Sequence, residues 1–183
     1  MLIEACEIPD VKLVRSKQFR DSRGFFSEVY SKSALAGAGL TDEFVQDNHS
    51  FSALAGTVRG LHFQKPPFAQ AKLVRVTRGS ILDIALDLRR ASPHFGRHVA
   101  RVLSAENWEQ LYIPTGFAHA FCSLEPDTEV LYKVTSYYAP DADAGVLWSD
   151  PELGIDWPVA SDSATVSEKD ARLPRLRDLE PVF

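Results

Sequence analysis

The dominant pattern along the chain is a series of short runs in which apolar and polar residues alternate, separated by turn-forming residues. Alternation with a period of two is typical of β-strands with one buried face, and stretches with helical period are few. We therefore predict a mostly antiparallel β protein, with the strand spacing of a sandwich or barrel. The predicted strands span residues 24–31, 44–52, 57–64, 98–104, 109–113, 118–124 and 129–138.

The clearest alternation covers residues 72–89, where two alternating segments flank Gly79 and Ser80. A two-residue turn that begins with glycine is a favoured hairpin connection. We predict a β-hairpin here, with one face in water that carries Asp83 and Asp87.

Two segments are predicted to be helical. Residues 31–39 have serines at the front and glycines at the back, and Ser167 to Asp170 has a capping-box spacing followed by Pro174. We find no repeat, linker or change of composition, so we predict one domain over residues 1–183. Residues 172–183 are expected to lie along its outside.

Composition supports a soluble chain, with 45% hydrophobic and 25% charged residues. The longest stretch without a charged residue, Gln110–Leu124, is too short for a membrane span and contains Pro and Gly. The first residues lack a basic region, so we expect no secretory signal and a cytoplasmic location. Cys6 and Cys122 are expected to be small buried hydrophobes in a reducing compartment.

The net charge of −5 argues against nucleic acid as a partner, because nucleic-acid-binding proteins usually carry a basic surface. A small anionic ligand needs only a local cluster of Arg and Lys, whatever the sign of the total charge. The negative net charge therefore does not exclude a small anionic ligand.

The first chemically informative stretch is residues 58–64, Val-Arg-Gly-Leu-His-Phe-Gln. On a regular strand Arg59 and His62 point to opposite faces, unless a bulge at Gly60 resets the alternation. A lone histidine on such a strand is most often a hydrogen-bonded structural residue. His62 is not alone, because a second histidine motif follows.

That second motif is Pro-x-Gly-x-x-His over residues 114–119, which resembles the second motif of the cupins, where the histidine is often a metal ligand. A metal cupin also needs a His pair and an acid in its first motif. Here His62 is followed by Phe63 and Gln64, and the next acid is Asp83. The ligand set is incomplete, so we predict a pocket without metal and interpret His62 as a candidate acid or base.

Several further blocks occur in order between about Phe19 and Asp170. They are FRDSRGFFSE at 19–28, QDNHS at 46–50, RGLHFQ at 59–64, KLVRV at 72–76, GFAH at 116–119, YKVT at 132–135, GIDWP at 154–158 and SEKD at 167–170. Many separated blocks in register are far more specific than one motif. Together they resemble the dTDP-4-dehydrorhamnose 3,5-epimerase family.

The resemblance implies an all-β cupin jelly roll, a sandwich or barrel with a few short peripheral helices, that acts as a homodimer without metal or other cofactor. Its implied substrate is a dTDP-linked 4-keto-6-deoxyhexose, inverted at C5 and C3 on the way to dTDP-L-rhamnose. His62 matches the general base, Asp170 the carboxylate that orients it, Lys72 the cation that stabilises the enolate, and Tyr132 the proton donor.

The remaining matches imply substrate-binding roles. Arg23 and Arg59 suit the diphosphate, because a guanidinium pairs with phosphate oxygens in a bidentate way. The positions that match the nucleotide and sugar site are Glu28, Gln46, Asp47, Asn48, His119, Asp143 and Lys169. Phe19, Phe26 and Tyr138 are candidates to stack on the base or to form a wall of the pocket.

Two positions depart from the family pattern. Asp143 stands where Glu is usual, and Ala120 stands where glycine often follows the histidine. The shorter carboxylate puts one substrate contact in doubt. Three alternatives stay open: a mono-epimerase that inverts only C3 or C5 of a related sugar, a metal cupin oxygenase, and a non-catalytic sugar-nucleotide binding module.

Overall fold

The computed structural model describes residues 1–183 and consists largely of antiparallel strands. Its strands are β1 Leu2–Ala5, β2 Lys12–Arg15, β3 Gln18–Asp21, β4 Gly24–Ser27, β5 Gln46–Ser52, β6 Val58–Gln64, β7 Lys72–Arg78, β8 Ser80–Asp87, β9 His98–Ser104, β10 Glu109–Ile113, β11 Phe117–Ser123, β12 Thr128–Val134 and β13 Asp143–Gly145. One short helix, α1 Lys32–Gly37, follows β4. Single turns of 3₁₀ helix cover Pro140–Ala142, Pro151–Leu153, Asp170–Arg172 and Leu176–Asp178.

The strands form two main sheets. The six-stranded sheet has the order β1-β2-β10-β7-β12-β5, the five-stranded sheet has the order β13-β6-β11-β8-β9, and β3 and β4 form a separate hairpin. The central core joins the sheets, since it contains Val74 and Leu111 from the first and Ile81 and Val99 from the second. Burial of apolar residues between two antiparallel sheets is what the alternating sequence predicts, and the all-β prediction is confirmed.

The predicted hairpin over residues 72–89 is wrong. Strand β7 pairs with β10 and β12, whereas β8 pairs with β9 and β11, so the chain passes from one sheet to the other at Gly79. Gly79 has φ +72°, and a Cβ there would lie 2.4 Å from Oγ1 of Thr128. Local turn chemistry does not determine which strands pair, because tertiary packing decides that.

The predicted wet face of β8 is also wrong. Asp83 and Asp87 are both fully buried, and each has a partner inside the protein: His119 for Asp83, and Arg89 with Ser92 for Asp87. Polar alternation along β8 therefore marks internal polar contacts instead of a solvent-exposed face.

Both helical predictions are confirmed in outline. Ser31 caps α1, its Oγ accepting a hydrogen bond from the Ala34 amide at 3.4 Å. Ser167 likewise accepts from the Asp170 amide at 3.1 Å, at the start of the third 3₁₀ turn. Capping of this kind fixes the direction in which the chain enters the turn, and so helps to place the Asp170 side chain.

The C-terminal residues lie against the five-stranded sheet, as expected, with the Phe183 ring 5.8 Å from that of Phe63. Cys6 and Cys122 are both buried free thiols. Every helix in the structure is too short to cross a membrane.

Candidate active site

A cavity of about 490 Å³ lies between the two sheets. Strands β6 and β11 of the five-stranded sheet form one wall, and β5, β7 and β12 of the six-stranded sheet form the other. The segment 165–170 covers one side. The lining residues are Ser50, Thr57, Val58, Arg59, His62, Lys72, His119, Phe121, Tyr132, Thr165, Val166, Ser167, Lys169 and Asp170.

A bulge in β6 brings two of the predicted residues into this cavity together. Arg59 pairs with Phe121 and His62 pairs with His119, which is three steps along β6 against two along β11. Gly60 occupies the bulge with φ +121°, and a Cβ there would lie 2.5 Å from the carbonyl oxygen of His119. The extra residue resets the alternation, so Arg59 and His62 both line the cavity.

His62 forms a dyad with Asp170. The distance from His62 Nε2 to Asp170 Oδ1 is 2.7 Å, and Asp170 Oδ2 accepts a hydrogen bond from the Gly60 amide at 3.1 Å. Burial alone raises the pKa of Asp170, but the hydrogen bond and charge of His62, with donors from Gly60 and Ser167, outweigh it and lower the pKa overall. An ionised Asp170 accepts the Nε2 proton, which leaves a lone pair on Nδ1 of His62 for proton abstraction.

A second dyad lies deeper in the same wall. His119 Nε2 lies 2.7 Å from Oδ1 of Asp83, and both side chains are buried. Burial lowers the pKa of His119, and the nearby Lys72 charge lowers it further, although Asp83 opposes both effects. Oδ2 of Asp83 accepts no hydrogen bond from the protein. This dyad therefore combines a neutral imidazole with a buried negative charge.

Lys72 brings a positive charge into the cavity. Its residue is only 8% exposed, and burial lowers its pKa to about 8, an effect that Asp83 and then Asp143 partly oppose. With that pKa the lysine stays mainly protonated at pH 7. The ammonium lies 5.9 Å from the centre of the Tyr132 ring. A buried ammonium of this kind can stabilise negative charge that develops on a bound ketone oxygen.

Tyr132 lies on β12, in the wall opposite His62. Burial raises the pKa of its phenol, although the charge of Arg59 partly opposes this shift. The phenol therefore keeps its proton at neutral pH. Its ring centre lies 6.4 Å from that of His119. A base on one sheet and a phenol on the other can reach opposite faces of a molecule bound between them.

The rim of the cavity carries the cationic groups that suit phosphate. Arg59 is held by a 2.8 Å hydrogen bond from Nη2 to the carbonyl oxygen of Phe51, and its Nε donates to Ser52 at 3.3 Å. Lys169 makes an ion pair with Asp143, and this hydrogen bond raises the pKa of Lys169. Both groups therefore remain charged where an anionic ligand would enter.

Comparisons with known proteins identify the family of this chain. The family model for dTDP-4-dehydrorhamnose 3,5-epimerase matches residues 5–178. The Pseudomonas aeruginosa enzyme of that name is 52% identical over 94% of each chain. The crystal structure of the Bacillus anthracis enzyme, solved with TDP and PPi bound, has a TM-score of 0.92 at 51% identity and covers 95% of this chain and 98% of its own. A Legionella pneumophila enzyme, solved with dTDP-4-keto-L-rhamnose, has a TM-score of 0.93 at 40% identity, over 98% and 94%.

This chain belongs to the dTDP-4-dehydrorhamnose 3,5-epimerase family. The predicted family, its cupin-type fold and its carbohydrate epimerase activity are thereby confirmed. Seven of the thirteen predicted site residues of this epimerase line the cavity: Arg59, His62, Lys72, His119, Tyr132, Lys169 and Asp170.

The other six predicted site residues lie around the cavity or away from it. Gln46 and Asn48 share one face of β5 with the lining residue Ser50, and Gln46 Nε2 donates to Asn48 Oδ1 at 2.8 Å. Asp47 lies on the opposite face of β5, where Lys133 donates to it at 2.8 Å. Asp143 does not line the cavity, but it forms an ion pair with Lys169, which does.

Arg23 and Glu28 belong to the β3–β4 hairpin and the residue that follows it. The Arg23 side chain is 87% exposed and pairs with Asp21 in the β3–β4 hairpin, and Glu28 follows that hairpin on the surface. Within one chain the structure does not bring either residue to the cavity.

Sequence reasoning missed several functional neighbours. The alternation of Asp83 with apolar residues predicts a solvent-facing side chain, and only the pairing of β8 with β11 shows that it lies beside His119. The segment Thr165–Ser167, with Thr57 and Phe121, also lines the cavity. Apart from Ser167, which begins the capping box, these residues carry no distinctive sequence pattern, so only the fold identifies them.

The histidines do not form a metal site of the cupin type. His62 and His119 each use Nε2 for a carboxylate of their own, and no group of three or more His, Cys, Asp or Glu side chains is arranged to hold a metal ion. The residues present therefore do not fit the ligand set of a metal cupin.

Proposed function

We propose that this epimerase inverts C5 and C3 of dTDP-4-dehydro-6-deoxy-D-glucose to give dTDP-4-dehydro-L-rhamnose, with His62 as the base and Tyr132 as the proton donor. The observation that carries the assignment is their placement on opposite walls of a cavity that also holds the Lys72 ammonium. Epimerisation requires proton removal from one face of a carbon and proton return to the other.

The steps follow from these groups. Nδ1 of His62 takes the proton from the carbon next to the C4 ketone, and the electron pair of that C–H bond forms the enolate, with the negative charge on the C4 oxygen. Lys72 stabilises this oxygen as its charge develops. The phenol of Tyr132 then returns a proton to the opposite face and is reprotonated by solvent, while the protonated His62 releases its proton to solvent. A second round at the other carbon completes the double inversion.

Substrate binding is assigned to the charged and polar groups around the cavity. Arg59 and Lys169 suit the diphosphate, because both keep positive charge at the rim. His119 is assigned to the sugar. Asn48, Gln46, Asp143 and Tyr138, which are linked to one another or to the lining by hydrogen bonds, are assigned to the nucleotide. These cations form a local basic site in a chain of net charge −5, which suits a nucleotide diphosphate without favouring a nucleic-acid polymer.

We also propose that the working form is a homodimer. The β3–β4 hairpin exposes three aromatic side chains, with Phe19 53%, Phe25 55% and Phe26 70% exposed, and it carries the predicted diphosphate ligand Arg23 away from its own cavity. A second copy would cover the aromatic residues and give Arg23 an anionic ligand to bind. Glu28, which directly follows the hairpin, would join the site through the same interface.

The proposal includes catalysis without a metal and a cytoplasmic location. Enolate stabilisation is assigned to Lys72, which leaves no step that needs a Lewis acid. Two buried free thiols suit a reducing compartment.

Deuterium incorporation tests the proposed reaction directly. Metal-stripped protein incubated with dTDP-4-dehydro-6-deoxyglucose in D₂O should place one deuteron at C3 and one at C5, as read by NMR, because each enolate takes its proton from solvent-exchanged groups. One deuteron would instead assign a mono-epimerase. No exchange until metal is added would contradict the proposal and favour a metal-dependent site.

A further inference from the structure

Gln64 is the last residue of the motif Arg59–Gln64, and none of the catalytic steps uses it. It lies on β6 two residues after His62 and is only 3% exposed. Its amide makes three hydrogen bonds: Nε2 donates to the carbonyl oxygens of Phe68 at 2.7 Å and Tyr137 at 3.1 Å, and Oε1 accepts from the Ala139 amide at 2.8 Å. One buried side chain thus satisfies backbone groups on two separate loops.

The two loops leave β6 and β12. Gln70 and Thr135 also join them: Gln70 Nε2 donates to the carbonyl oxygen of Ser136 at 2.7 Å, and the Ala71 amide donates to Thr135 Oγ1 at 2.8 Å. Gln64 differs from these contacts because it holds the backbone on both sides of one residue, Tyr138.

Tyr138 is connected to the site through its own polar contacts. Its amide donates to Gln46 Oε1 at 3.2 Å, and its hydroxyl donates to Asp143 Oδ2 at 3.2 Å. Asp143 in turn pairs with Lys169, which lines the cavity. The residue is 59% exposed, so its backbone is fixed while much of its ring stays open to a ligand.

We propose that Gln64 is a positioning residue for nucleotide binding, which holds the Tyr137–Ala139 backbone so that the Tyr138 ring is presented to the planar base of the substrate. The inference rests on the proposed function in one respect, that the ligand carries a nucleotide. Fixing a loop in its bound conformation lowers the entropic cost of binding, so the benefit appears in affinity and not in the chemical step. One strand then supplies both the base, His62, and the residue that orders the binding loop.

The test uses Gln64→Met, which keeps the length of the side chain but removes all three hydrogen bonds. We expect the dissociation constant for dTDP, measured by calorimetry, and the KM for the dTDP-sugar to rise about tenfold, with kcat within about twofold of wild type. Gln64→Asn keeps a buried amide, but its side chain is one methylene shorter. It should also raise the dissociation constant for dTDP and the KM. It serves as the second variant if the methionine variant does not fold.

A double-mutant cycle separates positioning from general loss of stability. If Gln64 acts through Tyr138, then Gln64→Met should add little to the loss of dTDP affinity already caused by Tyr138→Ala. The control is Asn107→Ala, since that amide also makes three backbone hydrogen bonds, to Val102, Ser104 and Glu109, in a turn that does not line the cavity. It should lower thermal stability and leave dTDP affinity unchanged.

Unchanged dTDP affinity in folded Gln64→Met, or a loss that adds in full to that of Tyr138→Ala, would overturn the inference. Failure of the proposed function gives a different result: wild-type protein would not convert the dTDP-sugar, whatever the Gln64 variants do to dTDP binding.

Discussion

Two histidine–aspartate dyads in this epimerase share the same contact in different settings. His62–Asp170 and His119–Asp83 both have a 2.7 Å distance from Nε2 to Oδ1. The His62 side chain is 33% exposed and its carboxylate comes from a capped turn, whereas the His119 side chain is 6% exposed and its carboxylate comes from a neighbouring strand. The same pair of residue types is thus accessible in one place and enclosed in the other.

The comparison shows that the role of a histidine–aspartate dyad depends on its exposure to substrate and on the groups around it. His62 can meet substrate, and Asp170 has its remaining oxygen satisfied by the Gly60 amide, so the imidazole is the group free to accept a proton. In the other dyad Asp83 is the largest favourable influence on the charge of Lys72. We therefore assign proton transfer to the first dyad and electrostatic support of Lys72 to the second.

The largest expected effect comes from removing the accessible imidazole. His62→Asn should lower kcat about 10³-fold or more, because general base catalysis is lost. His119→Asn, the matched change in the enclosed dyad, should lower it far less. Steady-state kinetics with circular dichroism as a folding control makes the comparison, and equal losses of kcat in the two variants would remove the distinction between the dyads.

Lys72 gives the next largest effect. Lys72→Met should lower kcat about 10²- to 10³-fold, since the enolate loses its preorganised cation. Because the ammonium form is the active one and burial lowers the Lys72 pKa to about 8, wild-type activity should fall as the pH rises through about 8. A pH–rate profile that stays flat to pH 9.5 would contradict this role.

Variants of the two dyad carboxylates, Asp83 and Asp170, should have different pH–rate profiles. Asp83→Asn removes a negative charge that raises the Lys72 pKa, so the alkaline limb of the profile should move to lower pH. Asp170→Asn should lower the plateau about 10²-fold, by disturbing the imidazole tautomer, and leave the position of that limb unchanged. If Asp170→Asn moved the limb and Asp83→Asn did not, the roles would be reversed.

The smallest expected effect belongs to Asp143, the second and weaker negative influence on Lys72. Asp143→Asn should move the alkaline limb in the same direction as Asp83→Asn but by less, and should raise KM a few-fold because Lys169 loses its partner. Asp143→Glu, which retains the charge, is the control and should leave the limb in place.

Much of the fold and the centre of the site could be predicted from sequence. Alternation correctly identified the antiparallel β class, and the resemblance to the family implied that His62, Lys72, Tyr132 and Asp170 share one site. Strand pairing could not be read in the same way, because the turn at Gly79 has hairpin chemistry while the strands on either side pair in different sheets. Register depends on contacts distant in sequence.

The same reason explains the errors at the site. Asp83 looks like a solvent-facing residue until β11 places His119 beside it. The sequence allows either a regular strand or a bulge at Gly60. The pairing of β6 with β11 shows that the bulge is present. Arg23 matches a substrate ligand by motif but does not line its own cavity, so a binding role for it requires the dimer proposed above.

The most direct test asks which histidine removes the proton. In D₂O, Tyr132→Phe should form little inverted product but should place deuterium in the recovered substrate, because His62 removes the proton and returns a deuteron to the same face. The double variant Tyr132→Phe/His62→Asn should show no exchange at C3 or C5, whereas Tyr132→Phe/His119→Asn should retain it. Exchange that persists without His62 and disappears without His119 would contradict the account and assign the base to the enclosed dyad.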